Sequence, residues 1–318
     1  MNDPTSACSP SAAPSPKLKN MVGVKLPVLD HGHVMLVDYM GSDTRVEEVA
    51  RLSYNTGGLT GGGTSTNDEK GRTLRDTRGL LRYLLRHAHT SPFEQVCVTL
   101  DMKMPIFVAR QLVRHRTQKL NEVSARYSVL PEEFYVPDLS QVCVQSDTNK
   151  QGRGEVLPLE VGEAVRENIK QHSENGFRLY RDLLERGVAR ETARMVLSLN
   201  TYTHWCTTWD AHNLLHMLRL RLDPHAQWEV REYARVISEI VRVWLPLTWE
   251  AFTDYTLQSV RLSRHEWEVL VQSVDREQVA RLLSLGESGG SEKLSLREKR
   301  EFLARLDTVS SPPFSREE

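Results

Sequence analysis

Two periods of apolar positions alternate along the chain, and together they lay out its elements. Val34 to Met40 (VMLVDYM) suits a strand, and Gly41-Ser42 turns the chain. Thr44 with Glu47 reads as a capping box for a helix traced by Val46, Val49 and Ala50. Leu74, Leu81, Leu84 and Leu85 mark a helix running to about His87. Val96, Val98, Leu100 and Met102 alternate, so 95–104 is expected as a strand with one buried face. Pro105 suits the first turn of a helix whose apolar side is Ile106, Ala109, Leu112 and Val113. A short strand is expected over Glu133 to Val136, then a surface connection over 137–158. Ala164, Val165, Ile169, Phe177, Tyr180, Leu183 and Leu184 predict a long helix that Gly187 stops, and a shorter helix over Glu191 to Leu197 carries Arg194. Asn200 to Trp209 reads as a strand, and Asp210 as the cap of a helix with Leu214, Leu215 and Leu218 on its apolar side. Trp228, Tyr233, Ile237, Ile240 and Trp244 continue as an amphipathic helix to Pro246.

The ends differ in character. Residues 1–22 hold the Ser/Pro/Ala-rich run SACSPSAAPSP and are expected as a disordered tail. Residues 23–257 form the main domain. From 258 to 318 charged helical pieces take over, among them Glu277 to Leu285 and a helix opened by a Ser295/Glu298 capping box, joined by the linker GESGGSE. Charged residues are 26% and apolar ones 39% of the 318, an ordinary balance for a globular chain. A net charge of -1 leaves no global field for coating nucleic acid, so no nucleic-acid partner is expected. No apolar run is long enough to span a membrane, and no secretory signal is read. Cys8, Cys97, Cys143 and Cys206 are scattered without a CxxC pair, which fits reduced thiols in the cytoplasm.

The candidate chemistry gathers at 114–127. Arg114-His115-Arg116 is followed by seven residues and then by Ser124-Ala125-Arg126-Tyr127, with Asn121 and Glu122 between. Guanidinium groups hold phosphates through paired planar hydrogen bonds, so this run is a candidate anion site leaving a helix C-terminus for a loop. Gln111 lies three residues before Arg114, on the same helix face. The glycine run at 57–68 lacks both GK[ST] and GxGxxG and reads as a flexible loop. His212 and His216 share a helix face near Asp210. A metal-dependent nucleotide hydrolase on these three is therefore one alternative, although Asn213 stands where HExxH needs its glutamate. An RNA-binding protein using the basic patch is another. No cysteine has the basic, polar setting of a nucleophile.

The string RHRTQKLNEVSARYS resembles the signature of the flavin-dependent thymidylate synthases (ThyX). DHGHVMLVDYMGSD, HTSPFEQ, PIFVARQLVRHR, ARMVLSLNTYT and LRLDPHAQWEVREYA resemble further family segments, so the likeness covers about residues 26–256. It implies an α+β fold, a mostly antiparallel sheet flanked by long helices, with 258–318 as a helical appendage. It implies an enzyme making dTMP from dUMP, with 5,10-methylenetetrahydrofolate as carbon donor and FAD reduced by NADPH. By the same resemblance Ser91, Glu94, Arg114, His115, Arg116, Glu122, Asp210, His212, His216 and His225 would face FAD. Gln111, Leu112, Val113, Arg114, Glu122, Val123, Ser124, Ala125, Arg126, Arg194 and Arg221 would hold dUMP. Arg221 would favour ionisation at the pyrimidine N3, and His89 and Tyr127 would lie on the folate side. The family assembles as a homotetramer with active sites between subunits. Asp210, His212 and His216 depart from a commoner Asn/Arg/Asn set. A carboxylate there would repel a flavin phosphate unless Asp210 serves its own helix as cap.

Overall fold

The computed structural model describes residues 16–53, 74–147, 149–284 and 294–307. The glycine run at 57–68, the linker GESGGSE and residues 1–15 of the expected tail lie outside the described residues. The chain divides into two units, Met1–Leu257 and Gln258–Glu318.

In the first unit the elements run α1 (Pro16–Met21), β1 (Lys25–Val28), β2 (Gly32–Met40), α2 (Asp43–Leu52), α3 (Leu74–Arg86), β3 (Cys97–Pro105), α4 (Ile106–Leu112) and β4 (Lys119–Glu122). They continue with β5 (Cys143–Gln145), β6 (Arg153–Val156), α5 (Leu159–Glu185), α6 (Arg190–Ala193), β7 (Tyr202–Asp210), α7 (Ala211–Arg221), α8 (Trp228–Trp244) and α9 (Pro246–Phe252). Five strands form one antiparallel sheet in the order β1-β2-β3-β7-β4. The expected alternation in β3 buries Val98, Leu100, Met102 and Met104, which pair with Trp209, Thr207, Trp205 and Thr203 of β7. The other face is polar: Thr99 bonds Thr208, Asp101 lies opposite Cys206, and Lys103 opposite His204. Such one-sided burial is what an antiparallel sheet allows.

Helix α8 covers the apolar face. Val230, Tyr233, Ala234, Ile237, Ile240, Val241 and Trp244 are buried at helical spacing. Each large apolar side chain so buried contributes about 1.5–3 kcal/mol. The Tyr233 hydroxyl donates to the Lys103 carbonyl at 2.7 Å, across a gap that only glycine leaves open. A Cβ at Gly32 would stand 2.0 Å from that hydroxyl.

Several expectations change. Residues 16–21, read as tail, are helical because Leu18 is fully buried in the core. Helix α2 begins at Asp43 with Ser42 in the cap position, and Glu47 accepts from Arg51 and Thr77 instead of closing a capping box. Pro105 ends β3 and precedes α4. The strand expected over 133–136 is a single bridge, Phe134 to Thr201. The connection over 137–158 contains the β5–β6 ribbon, and β4 appears where a loop was expected.

Asp43 supplies what α9 lacks. The cap position of α9 is Leu245, which has no acceptor side chain. The buried Asp43 carboxylate takes its place, accepting from Leu247 N at 2.8 Å, Thr248 N at 3.1 Å and Thr248 Oγ1 at 2.6 Å. Asp43→Ala strands these donors in the core and is expected to cost about 2–4 kcal/mol, read as a lowered urea midpoint with unchanged slope.

The second unit holds α10 (Arg264–Ser273), α11 (Arg276–Ser284) and α12 (Leu296–Asp307). The Ser295/Glu298 capping box is present, and Ser263 with Glu266 makes a further one at α10. Among the described residues no helix is long and apolar enough to cross a membrane.

Candidate active site

The signature is split by a strand. Helix α4 ends at Leu112, and His115 N closes a turn on the Leu112 carbonyl at 3.1 Å. Then β4 runs along the edge of β7, from Lys119 opposite Thr208 to Glu122 opposite Trp205, and Val123 N bonds His204 O at 2.9 Å. At ~3.4 Å per residue the three steps of this ladder set its two ends about 10 Å apart, with one half of the signature beyond each end.

The first half meets α7. Arg221 Nε donates to His115 Nε2 at 3.1 Å, and Arg221 Nη2 donates to the Gln111 carbonyl at 3.1 Å. Arginine can only donate, so His115 accepts through Nε2 and carries its proton on Nδ1. Burial, then the Arg221 charge, then His216 push the His115 pKa from 6.5 down to about 4. The imidazole is therefore neutral at pH 7. Its ring lies 6.1 Å from that of Trp209 and 6.3 Å from that of His216. Arg114 and Arg116, on either side, are exposed.

The Ser91–Gln95 segment, a short 3-10 helix, packs against α7, and Ala211 N bonds Val96 O at 2.9 Å. Ser91 and Glu94 are exposed there, near the start of α7. Asp210 caps α7 as expected: its carboxylate accepts from Asn213 N at 2.9 Å and from Asn213 Nδ2 at 2.8 Å and 3.0 Å. His212 is half-buried and His216 exposed one turn on. His225 is exposed and bonded only locally, to Asp223 at 2.8 Å. His89 is exposed, with its ring edge-on to Tyr83 at 5.6 Å.

The second half meets α6. Glu122 accepts from Thr203 Oγ1 at 2.5 Å. The Ser124 carbonyl takes Tyr127 N at 3.0 Å and Ser128 N at 3.1 Å, which folds 124–128 into a turn over the buried Ala125. Arg126 pairs with Glu191 at 3.1 Å, both more than half exposed, a pair worth about 1 kcal/mol or less. Arg190 Nη1 donates to the Tyr127 carbonyl at 2.9 Å, while the Tyr127 side chain is 77% exposed. Arg126, Tyr127, Leu184, Val188, Arg190 and Glu191 line a groove, and Arg194 is exposed just beyond α6. Leu112 is buried, whereas Val113 and Val123 are exposed at the two ends of the interval.

The model of the Thymidylate synthase complementing protein family matches residues 35–247. The chain is 45% identical over 289 residues to a flavin-dependent thymidylate synthase of Ehrlichia ruminantium (strain Gardel), covering 91% of each. It is 46% identical over 295 residues to one of Anaplasma marginale (strain St. Maries), covering 93% of this chain and 94% of that one. The chain belongs to the flavin-dependent thymidylate synthase family. Among solved structures, it resembles a UMP/dUMP methylase PolB from Streptomyces cacaoi bound with 5-Br dUMP. The TM-score is 0.64 and the identity 35%, over 74% of this chain and all (100%) of that one.

For a flavin-dependent thymidylate synthase, the metal alternative loses its ligand set. Both Asp210 oxygens are taken by Asn213. Among the described residues the one histidine–carboxylate grouping of metal size is His33, Asp101 and His204, on β2, β3 and β7. There each Asp101 oxygen already takes one imidazole, at 2.8 Å and 2.7 Å, and Lys25 adds positive charge beside His33. Trp209, Arg190 and Glu191 border the site without having been expected there. They reach it only because β7 and α6 fold against the two halves of the signature.

The His115 shift has a consequence at low pH. The unfolded imidazole takes up a proton near 6.5, and the folded one resists until about 4. Stability is therefore complete above pH 6.5 and is lost as pH falls between those values. His115→Asn, which keeps an acceptor for Arg221, is expected to lose less stability than the parent between pH 7 and 4.5 in urea melts.

Proposed function

We propose that this chain converts dUMP to dTMP, with carbon from 5,10-methylenetetrahydrofolate and electrons from FAD that NADPH has reduced. The observation that carries this reading is the signature's basic half. Arg114 and Arg116 stand exposed and, among the described residues, without a carboxylate partner, either side of a neutral His115. Unpaired guanidiniums are the chemistry that holds a pyrophosphate. The Asp210 carboxylate does not oppose this, because it is turned onto its own helix. These residues fit a flavin dinucleotide held by Arg114, Arg116 and the 91–94 segment, with His212, His216 and His225 along α7 and beyond. Glu122 would serve both ligands.

When bound, the flavin supplies the reducing equivalents, so the protein needs no thiolate. Cys97 agrees with that: burial, then the Asp210 charge, push its thiol pKa up. Gln111, Arg221 and Arg194 would bind dUMP with Ser124, Ala125 and Arg126, and His89 and Tyr127 would face the folate. A nucleotide touching both Arg221 and Arg126 must bridge the ends of β4. A second copy can supply the distant half, which supports the homotetramer with sites between subunits.

The test is optical. The purified protein is expected to bind FAD, show a band near about 450 nm, and bleach with NADPH in the absence of oxygen. A protein that stays colourless after incubation with FAD contradicts the reading.

A further inference from the structure

Behind Gln111 runs a line of hydrogen bonds ending on a buried carboxylate. Gln111 Nε2 donates to Gln227 Oε1 at 2.5 Å, and Gln227 Nε2 donates to Glu229 Oε2 at 3.0 Å. Glu229 is 2% exposed. Arg153 Nη2, from the β5–β6 ribbon, reaches both its oxygens at 2.5 Å and 2.7 Å, and the Tyr135 hydroxyl donates to Oε1 at 3.2 Å. The buried end of this line is unambiguous. An arginine only donates, so both Glu229 oxygens face it as acceptors. Gln227 must therefore turn its amide nitrogen to Glu229 and its oxygen to Gln111. Gln111 must in turn give one N–H to Gln227. What remains on Gln111 is one N–H and Oε1, in a fixed order.

We propose that Glu229 and Gln227, held by Arg153, are positioning residues that set the orientation of the Gln111 amide toward dUMP. The proposal rests on the reading of Gln111 as a nucleotide ligand. A free glutamine amide exchanges its donor and acceptor by a half-turn. Here a half-turn would set Gln111 Oε1 against Gln227 Oε1, two acceptors with no proton between them. The backbone joins in as well, since the Gln111 carbonyl holds Arg221 Nη2. The ribbon, absent from every role assigned so far, thus acts on the site through two side chains.

The test uses the flavin-loaded enzyme, with dUMP as the titrant. Gln227→Leu leaves the Arg153–Glu229 pair in place. It is expected to keep flavin content and thermal midpoint, weaken dUMP binding by about tenfold, and raise KM more than it lowers kcat. Gln227→Met keeps the length without either hydrogen-bonding atom, and is expected to match it. In a Gln111→Ala background the same change is expected to add nothing, because the group it orients is gone. If Gln111→Ala weakens dUMP binding while Gln227→Leu and Gln227→Met do not, the relay is refuted and the reading of Gln111 stands. An undiminished Gln227→Leu effect on top of Gln111→Ala also refutes it, since the loss then does not pass through Gln111. If the unmodified enzyme binds flavin but no dUMP, the functional reading and the relay fail together.

Discussion

Arg221→Ala is expected to keep its flavin and lose about a hundredfold or more of dTMP formation. Two of the three guanidinium nitrogens are spoken for, Nε by His115 and Nη2 by the Gln111 carbonyl. These bonds hold the cation still and leave Nη1 for a ligand. A fixed cation beside a pyrimidine that gains negative charge needs no reorganisation as the charge develops, and removal of one such donor costs about 10²–10³ in kcat. Arg221→Lys is no substitute, because a single ammonium cannot hold His115, the carbonyl and a ligand in one plane. Flavin content by absorbance and kcat by dTMP formation check the prediction together. Full activity in the alanine variant would remove Arg221 from the reaction.

Arg116→Ala is expected to release the flavin. Its guanidinium is exposed and has no carboxylate partner among the described residues, so the substitution leaves no buried charge behind and little reason to unfold. One charge-assisted contact to a phosphate is worth about 1.5–3 kcal/mol, or roughly ten- to a hundredfold in affinity. FAD titration by fluorescence quenching reads this directly, and circular dichroism confirms that the fold is kept. A variant that holds FAD as tightly as the parent would move the pyrophosphate away from Arg116.

Much of this was legible in the residues. The alternation of Val98, Leu100 and Met102 gave β3, and the spacing of Tyr233, Ile237 and Trp244 gave α8, because burial imposes those periods directly. Asp210 as a cap could be read from its place before an apolar run. By contrast, β4 was hidden. Its residues, Lys119 to Glu122, form an edge strand with little burial, and only pairing with β7 makes it a strand. The ribbon over Cys143–Val156 was hidden for the same reason. The candidate site could be read as a list and not as a shape. The signature named Arg114, His115, Arg116, Ser124 and Arg126, yet nothing in their spacing says that a strand divides them. The neutrality of His115 depends on burial and on Arg221, 106 residues away, and the relay depends on the Arg153–Glu229 and Gln111–Gln227 contacts, 76 and 116 residues apart in sequence. Local pattern carries no trace of such contacts.

Release of tritium from dUMP labelled at C5 is the most direct single measurement, because the new carbon must displace that hydrogen. With FAD bound, release is expected to require both NADPH and 5,10-methylenetetrahydrofolate, to match dTMP formed, and to vanish in Arg221→Ala. A flavin-loaded enzyme that forms no dTMP and releases no label with both co-substrates present would contradict the proposed reaction.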